Sequence, residues 1–238
     1  ISHLHGDHYL GLVGLLSSMH LNGRTKSINL YGPAPLQSII FDQLHHSKTT
    51  LAFDVHFVPL ESKESELIFE DQCIEIHTIP LEHRVYCNGF LIKEKNKPLR
   101  LDKVALKKHN VPVAMMHRLV KGEDWIKDDC SVLKNELFTL EKVPNRSYAF
   151  CSDTRYTEKL VPIIAGATLL YHEATFLEDK IDIAKKTYHS TAKQAATIAH
   201  KARVGKLILV HFSARYDSTD DFIVEAKPIS EIVKAIED

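Results

Sequence analysis

The first eight residues place three histidines and one aspartate at metal-ligand spacing, as His3-Leu4-His5-Gly6-Asp7-His8. Side chains two residues apart on an extended backbone point the same way, so His3 and His5 can bind one ion. Gly6 permits a sharp turn, after which Asp7 and His8 can reach a second ion nearby. Imidazole nitrogens and carboxylate oxygens are ligands that Zn²⁺ takes in catalytic sites. The alternative is a histidine-rich surface loop.

Three further residues of metal-ligand type stand at or near the ends of segments with strand character. Taken alone, each histidine is more often an ordinary histidine, and the aspartate more often a turn residue or helix cap. Their order and their placement after the first motif favour a shared site instead. These residues, each with its expected strand, are His83 (73–79), Asp153 (147–151) and His211 (207–212).

The elements that must position these residues alternate between helix and strand, which is typical of a layered α/β fold. Helices are predicted from apolar residues spaced three and four apart, and strands from short or alternating apolar segments. We expect Ser190 or Thr191 to be the N-cap of the helix 191–202. The expected strands are 28–31, 55–58, 67–69, 73–79, 89–92, 147–151, 168–172 and 207–212. The expected helices are 11–21, 35–46, 102–109, 156–164, 191–202 and 229–236.

The segment 93–129 differs from the rest of the chain because it is dense in charge and lacks a clean apolar period. It has one short expected helix, 102–109, and its apolar residues cluster in 111–116. We interpret it as an excursion from the core, and long irregular insertions of this kind tend to be functional or mobile.

Composition limits the class of protein. The chain has 238 residues, of which 44% are hydrophobic, and this suits one sizeable globular domain. The 30 basic and 31 acidic residues nearly cancel, so any basic surface must be local. Four scattered cysteines without a C-x-x-C pair predict reduced thiols and a cytoplasmic location, and no apolar segment is long enough to span a membrane. Because the chain starts at Ile1 with the motif almost at once, we expect a longer protein whose N-terminal strands are missing here.

The motif H-x-H-x-D-H followed by a glycine-containing helix resembles the signature of the metallo-β-lactamase superfamily. The resemblance implies one catalytic domain over 1–238, an αβ/βα sandwich with an inserted arm at about 93–129. It also implies two Zn²⁺ ions, with Mn²⁺ possible, that activate water and hydrolyse a phosphodiester. The implied ligand sets are His3, His5 and His83 for one ion, Asp7, His8 and His211 for the other, and Asp153 bridging both.

Two further motifs, His172-Glu173-Ala174-Thr175 and His189-Ser190-Thr191, resemble those of the ribonuclease Z family. That family also carries a tRNA-binding arm where this chain has 93–129, although its usual Gly-Pro-rich turn is replaced here by Val111-Pro112-Val113. The resemblance implies an endoribonuclease that cuts the 3′ trailer from precursor tRNA, leaves a 3′ hydroxyl on the tRNA, and acts as a homodimer.

Roles for single residues follow from the same resemblance. His189 protonates the leaving ribose oxygen and is oriented by Glu173, while Asp7 helps to orient or deprotonate the nucleophile. Without that resemblance, Glu173 reads as a surface carboxylate, His189 as a residue flanking a helix start, and the arm as a solvated charged loop. The arm residues implied to contact tRNA phosphates are Lys107, Lys108, Arg118 and Lys121.

Two other functions remain open from the sequence. The first is another hydrolase of the same fold, acting on a small phosphodiester, a sulfate ester or a thioester. The second is a non-catalytic RNA-binding module, against which the complete ligand set argues. The arm and the two extra motifs separate ribonuclease Z from the first, and metal loss without loss of tRNA binding would indicate the second.

Overall fold

The computed structural model describes residues 1–95 and 97–235. The chain forms two compact units. The first comprises Ile1–Glu70, Glu75–Ile92 and the chain from Ser147 onward, and the second comprises Asp71–Ile74 and Lys93–Arg146. Among the described residues, no helix has both the length and the apolar character needed to cross a membrane.

Seven strands form one sheet in the order β11-β10-β9-β8-β5-β4-β3, and neighbouring strands from β8 to β11 run parallel. β1 and β2 form a separate parallel pair, and β6 and β7 an antiparallel pair. Because the carboxyl ends of parallel strands meet at one edge of a sheet, residues that follow β8, β9 and β10 lie close together. The strands are β1 Ile28–Pro33, β2 Val55–Leu60, β3 Leu67–Glu70, β4 Ile74–Pro80, β5 Asn88–Glu94, β6 Trp125–Ile126, β7 Val132–Leu133, β8 Ser147–Cys151, β9 Leu169–Glu173, β10 Leu207–Val210 and β11 Val233–Ala235.

Helix α8 packs a stripe of buried alanines on the sheet. It begins with a capping box, in which Thr191 Oγ1 accepts from the Gln194 amide and the Gln194 side chain accepts from the Thr191 amide. This settles the N-cap as Thr191 rather than Ser190. The helices are α1 Gly6–Tyr9, α2 Gly11–Leu21, α3 Leu36–His46, α4 Lys103–Lys108, α5 Val113–Leu119, α6 Leu160–Ile163, α7 Ile181–Thr187, α8 Ala192–Ala202 and α9 Asp220–Ala226.

The first unit has two apolar cores. One joins the sheet to α6, α8 and α9 through residues such as Leu170, Leu207 and Phe222, and the other joins β1 to α2 and α3. β5 and β8 approach so closely that a Cβ on Gly89 would lie 2.2 Å from the Phe150 carbonyl oxygen. Only glycine fits there, and this close pairing brings the end of β8 beside the segment that precedes β5.

The second unit is more regular than the sequence predicts. The expected helix 102–109 is confirmed as α4, with Asp102 as its N-cap, but a second helix, α5, follows Pro112. A strand pair, β6 and β7, completes the unit. The apolar cluster 111–116 therefore belongs to a small core of its own, formed by Leu106, Val111, Leu119 and Phe138.

Two predicted helices differ from the structure, one by its length and one by its type. In 156–164 only Leu160–Ile163 is helical, and before it the Arg155 amide and the Thr157 hydroxyl donate to Glu82. In 229–236 the chain forms the strand β11 beside β10, and Ile236 lies outside the described residues. Gly6 does not form a sharp turn but begins α1. The other predicted helices and strands are confirmed with ends that differ by at most two residues, whereas α7 and α9 are not predicted.

Candidate metal centre

The carboxyl ends of the sheet strands bring the predicted ligands to one place. His83 follows β4, Asp153 follows β8, and His211 comes directly after β10. His211 has a left-handed backbone, with φ of 62°, a conformation that is uncommon outside glycine and clusters at functional sites. The remaining ligand-type residues reach the same edge from the N-terminal segment and α1; they are His3, His5, Asp7 and His8.

Four side chains form the first ligand set. His5 Nδ1 lies 3.1 Å from His3 Nε2 and 3.2 Å from His83 Nε2. Asp153 Oδ2 lies 3.6 Å from His3 Nε2 and 3.8 Å from His83 Nε2. Atoms bound tetrahedrally to zinc at about 2.0–2.1 Å are separated from one another by about 3.3 Å. The four atoms therefore fit around a single ion.

Asp7, His8 and His211 form the second set. Asp7 Oδ2 lies 3.3 Å from His8 Nε2 and 3.6 Å from His211 Nε2. Asp153 Oδ1 faces the same two rings, at 3.3 Å and 3.5 Å. The two oxygens of Asp153 thus face different sets, as a bridging carboxylate requires. His189 also offers a ring nitrogen within 4.8 Å of ligand atoms of Asp153 and His211.

Hydrogen bonds behind the rings orient them for metal binding. His83 Nδ1–H donates to the Tyr188 carbonyl over 3.0 Å, so Nε2 is the unprotonated nitrogen of the neutral ring. The Thr175 hydroxyl donates to the Glu173 carboxylate, so it accepts from His211 Nδ1–H over 2.9 Å. The Nε2 nitrogen of His211 is then unprotonated as well. Such partners fix the tautomer and direction of metal-binding histidines. Hydroxyl oxygens also lie behind two other rings, Ser2 at 3.1 Å from His3 Nδ1 and Ser152 at 3.4 Å from His8 Nδ1.

The charge states suit a divalent cation. Burial lowers the pKa of His3 to about 3, and burial also lowers the pKa of His83. Burial alone would raise the pKa of Asp153, but the hydrogen bond from His8 and the charges of His211 and His8 hold it well below its usual value. Near neutral pH, His3 and His83 are therefore neutral imidazoles and Asp153 is a carboxylate anion, the forms that bind metal.

Glu173, at the end of β9, is fully buried and accepts five hydrogen bonds. Its Oε1 accepts from the Thr154 amide and from His189 Nδ1, both over 2.8 Å. Its Oε2 accepts from the amides of Thr175 and Ser190 and from the Thr175 hydroxyl. All five groups donate, so this position requires a side chain that only accepts.

His189 borders both ligand sets, with its ring centroid 5.2 Å from that of His83 and 5.5 Å from that of His211. Burial lowers the pKa of His189, but the hydrogen bond and charge of Glu173, together with Asp153, outweigh burial and leave the pKa raised. The ring can therefore hold a proton beside the metal centre, as a general acid must.

In the second unit, the four predicted arm cations are all exposed. Arg118 pairs with Glu123, with 2.6 Å between Nε and Oε2, so its charge is compensated. Within the described part of that unit, Lys107, Lys108 and Lys121 have no ion-pair partner. These three lysines remain available for a phosphate.

The sequence reasoning missed residues that support the site from behind. Thr175 had a local signal, because it lies two residues after Glu173 and side chains at that spacing share a face of extended backbone. Glu82, Arg155 and Tyr188 had none, since their contacts join segments far apart in the chain.

No family model matches the chain. Similar curated proteins are named Ribonuclease Z. The one from Cytophaga hutchinsonii is 48% identical over 226 residues, which are 94% of this chain and 72% of that protein. Those from Bacteroides thetaiotaomicron and Bacteroides fragilis are 42% and 39% identical over 96% of this chain, and the match covers 72% and 75% of their lengths.

Solved structures agree with these relatives. The short form of human tRNase Z superposes on the whole chain with a TM-score of 0.67 and 26% identity, and the match covers 75% of that protein. The metallo-β-lactamase fold protein YhfI of Bacillus subtilis gives a TM-score of 0.61 at 17% identity over 99% of this chain and 72% of its own, which supports the fold alone. The predicted α/β fold of the metallo-β-lactamase type is confirmed.

Proposed function

This chain belongs to the ribonuclease Z family, and we infer that it is an endoribonuclease of tRNA 3′ processing. It hydrolyses the phosphodiester that joins the 3′ trailer to precursor tRNA and leaves a 3′ hydroxyl on the tRNA. The observation that carries this inference is the Glu173–His189 pair beside two convergent sets of metal-ligand side chains. The alternative, a hydrolase of a small phosphodiester, sulfate ester or thioester, is not favoured by the relatives.

We propose that the two ligand sets bind two zinc ions. His3, His5 and His83 would hold one ion, Asp7, His8 and His211 the other, and Asp153 both. Five histidines and two aspartates favour zinc over manganese, because imidazole suits zinc whereas manganese prefers oxygen ligands. When bound, two such ions supply a nucleophile from water at neutral pH and stabilise the negative charge that develops on the phosphate.

The chain's own residues position the proton transfers. We propose that His189 donates a proton from its second ring nitrogen to the ribose O3′ as that oxygen leaves. Glu173 accepts a hydrogen bond from His189 Nδ1–H, which keeps the ring oriented and favours its protonated form. The Asp7 side chain is two-thirds exposed, and we propose that its carboxylate orients the attacking water.

We propose that the second unit binds the body of the tRNA. Lys107, Lys108 and Lys121 would contact phosphates without reading sequence, and Arg118 would contribute less because Glu123 already compensates its charge.

We further propose a homodimer in which the arm of one subunit holds the tRNA that the other cuts. All four cysteines are free thiols, which supports the cytoplasm as the compartment.

The test is cleavage of an end-labelled precursor tRNA in the presence of zinc. We expect one cut at the trailer junction, loss of cutting with chelator, and slowing by about 10²–10⁴-fold in His189→Ala. His200→Ala, an exposed histidine on α8, is the matched control and should cut at the wild-type rate. An intact precursor alongside rapid hydrolysis of bis(p-nitrophenyl) phosphate would instead support the small-substrate alternative.

A further inference from the structure

Arg155 contacts two separate segments that flank the metal centre. It lies two residues after Asp153, and its Nε and terminal nitrogen both lie 2.8 Å from Glu82 Oε2. Its guanidinium carbon also lies 5.1 Å from the centroid of the Tyr188 ring. The Arg155 amide adds a third contact by donating to the Glu82 carbonyl over 3.0 Å.

Each segment that Arg155 contacts carries a side chain of the proposed site. Glu82 immediately precedes His83, and Tyr188 immediately precedes His189. The Tyr188 carbonyl accepts a hydrogen bond from His83 Nδ1–H, so the backbone of Tyr188 orients the His83 ring directly. One arginine therefore joins three segments whose site residues are far apart in the sequence.

The local geometry explains why such a contact matters. Tyr188 ends α7 with a left-handed backbone, φ 62°, a conformation that residues other than glycine adopt at an energetic cost. In that conformation its carbonyl accepts the hydrogen bond from His83 Nδ1–H, and the Arg155 guanidinium lies over its ring. About half of the Arg155 side chain is exposed, and exposed ion pairs stabilise a fold little. We therefore expect Arg155 to contribute little to the stability of the fold.

We propose that Arg155 is a positioning residue that aligns His83, Asp153 and His189 with one another. The proposal rests on the proposed function, since it concerns the same centre. Arginine suits this task better than lysine, because its planar fork can bind a carboxylate and stack on an aromatic ring at the same time.

The test compares Arg155→Met with Lys159→Met in the full chain. Lys159 is the matched control: it binds the same Glu82 carboxylate, over 2.9 Å, but no contact joins it to Tyr188 among the described residues. We expect Arg155→Met to weaken zinc binding, measured by chelator competition, by about 10–100-fold and to lower kcat similarly with an unchanged KM. Lys159→Met should stay within about threefold of wild type in each quantity. Arg155→Lys should lie between the two.

A double variant tests whether Arg155 acts through its contact with the Tyr188 ring. Tyr188→Leu removes the stack, so the kcat losses of Arg155→Met and Tyr188→Leu should not multiply when the two are combined. Multiplying losses would overturn the proposal, as would Arg155→Met matching Lys159→Met, or a fall in urea midpoint that accounts for the lost kcat. Wild-type protein that neither binds zinc nor cuts precursor tRNA would instead refute the proposed function, and this inference with it.

Discussion

Replacing Glu173 by glutamine should lower both the free energy of unfolding and the rate of tRNA cleavage. Glutamine keeps the shape of the side chain but replaces one accepting oxygen with an NH₂ group that donates. Each oxygen of Glu173 faces at least two donors, so neither orientation of the amide avoids a conflict. The less costly orientation points the NH₂ group toward Thr154 and His189, because His189 can present a bare nitrogen by changing its tautomer.

The magnitude follows from the donors that lose a partner. In that orientation the Thr154 amide is left buried without an acceptor, which costs about 1–3 kcal/mol, and loss of the negative charge weakens the remaining bonds to Glu173. We therefore expect the free energy of unfolding to fall by about 2–5 kcal/mol. Because His189 would then accept a hydrogen bond through Nδ1 and lose the negative charge that raises its pKa, its protonated form is disfavoured and kcat for precursor tRNA should fall by about 10²–10⁴-fold.

Urea denaturation at neutral pH measures the first effect, and single-turnover cleavage of labelled precursor tRNA measures the second. Glu158→Gln is the control, because its exposed carboxylate pairs with Lys201 on the surface, and neither quantity should change appreciably. A Glu173→Gln protein that unfolds at the wild-type urea concentration and keeps its kcat would refute the assignment of Glu173 as the shared acceptor.

Three further predictions concern the metal, the proton and the substrate. Thr175→Val should weaken zinc binding in chelator competition by about 10–100-fold, because His211 loses the hydroxyl that orients it, whereas Thr175→Ser should bind normally. Since the pKa of His189 is raised above 6.5, its protonated form should stabilise the fold below that pH, and both this stabilisation and kcat should decline as pH rises through the folded pKa; a flat alkaline kcat profile would contradict this. Lys107→Ala and Lys108→Ala should each raise KM, leave kcat unchanged and reduce the salt slope of tRNA binding by about one, whereas an unchanged slope would exclude phosphate contact.

The ligand positions were predictable from the sequence because each depends on a local rule. Asp153 and His211 follow strands, and the carboxyl ends of parallel strands meet at one edge of the sheet. The spacing of His3 and His5 needs only an extended backbone. The structure brings these side chains together, while their roles as ligands remain our proposal.

What the sequence could not show depends on contacts between distant segments. Glu82 and Arg155 are 73 positions apart, and neither has a neighbour that signals the other. Near the same contact, the predicted helix 156–164 is shorter than expected and covers only Leu160–Ile163, while Arg155 and Thr157 donate to Glu82. In 229–236, pairing at the sheet edge with β10 prevails over a helical spacing of apolar residues.

The most direct test of the central claim is cleavage of precursor tRNA in ¹⁸O-labelled water, followed by mass spectrometry of both products. If water attacks the phosphorus and His189 protonates the departing O3′, one ¹⁸O atom should appear in the 5′ phosphate of the trailer. The tRNA should then end in an unlabelled 3′ hydroxyl. A cyclic 2′,3′-phosphate on the tRNA, or label on its 3′ end, would contradict the account.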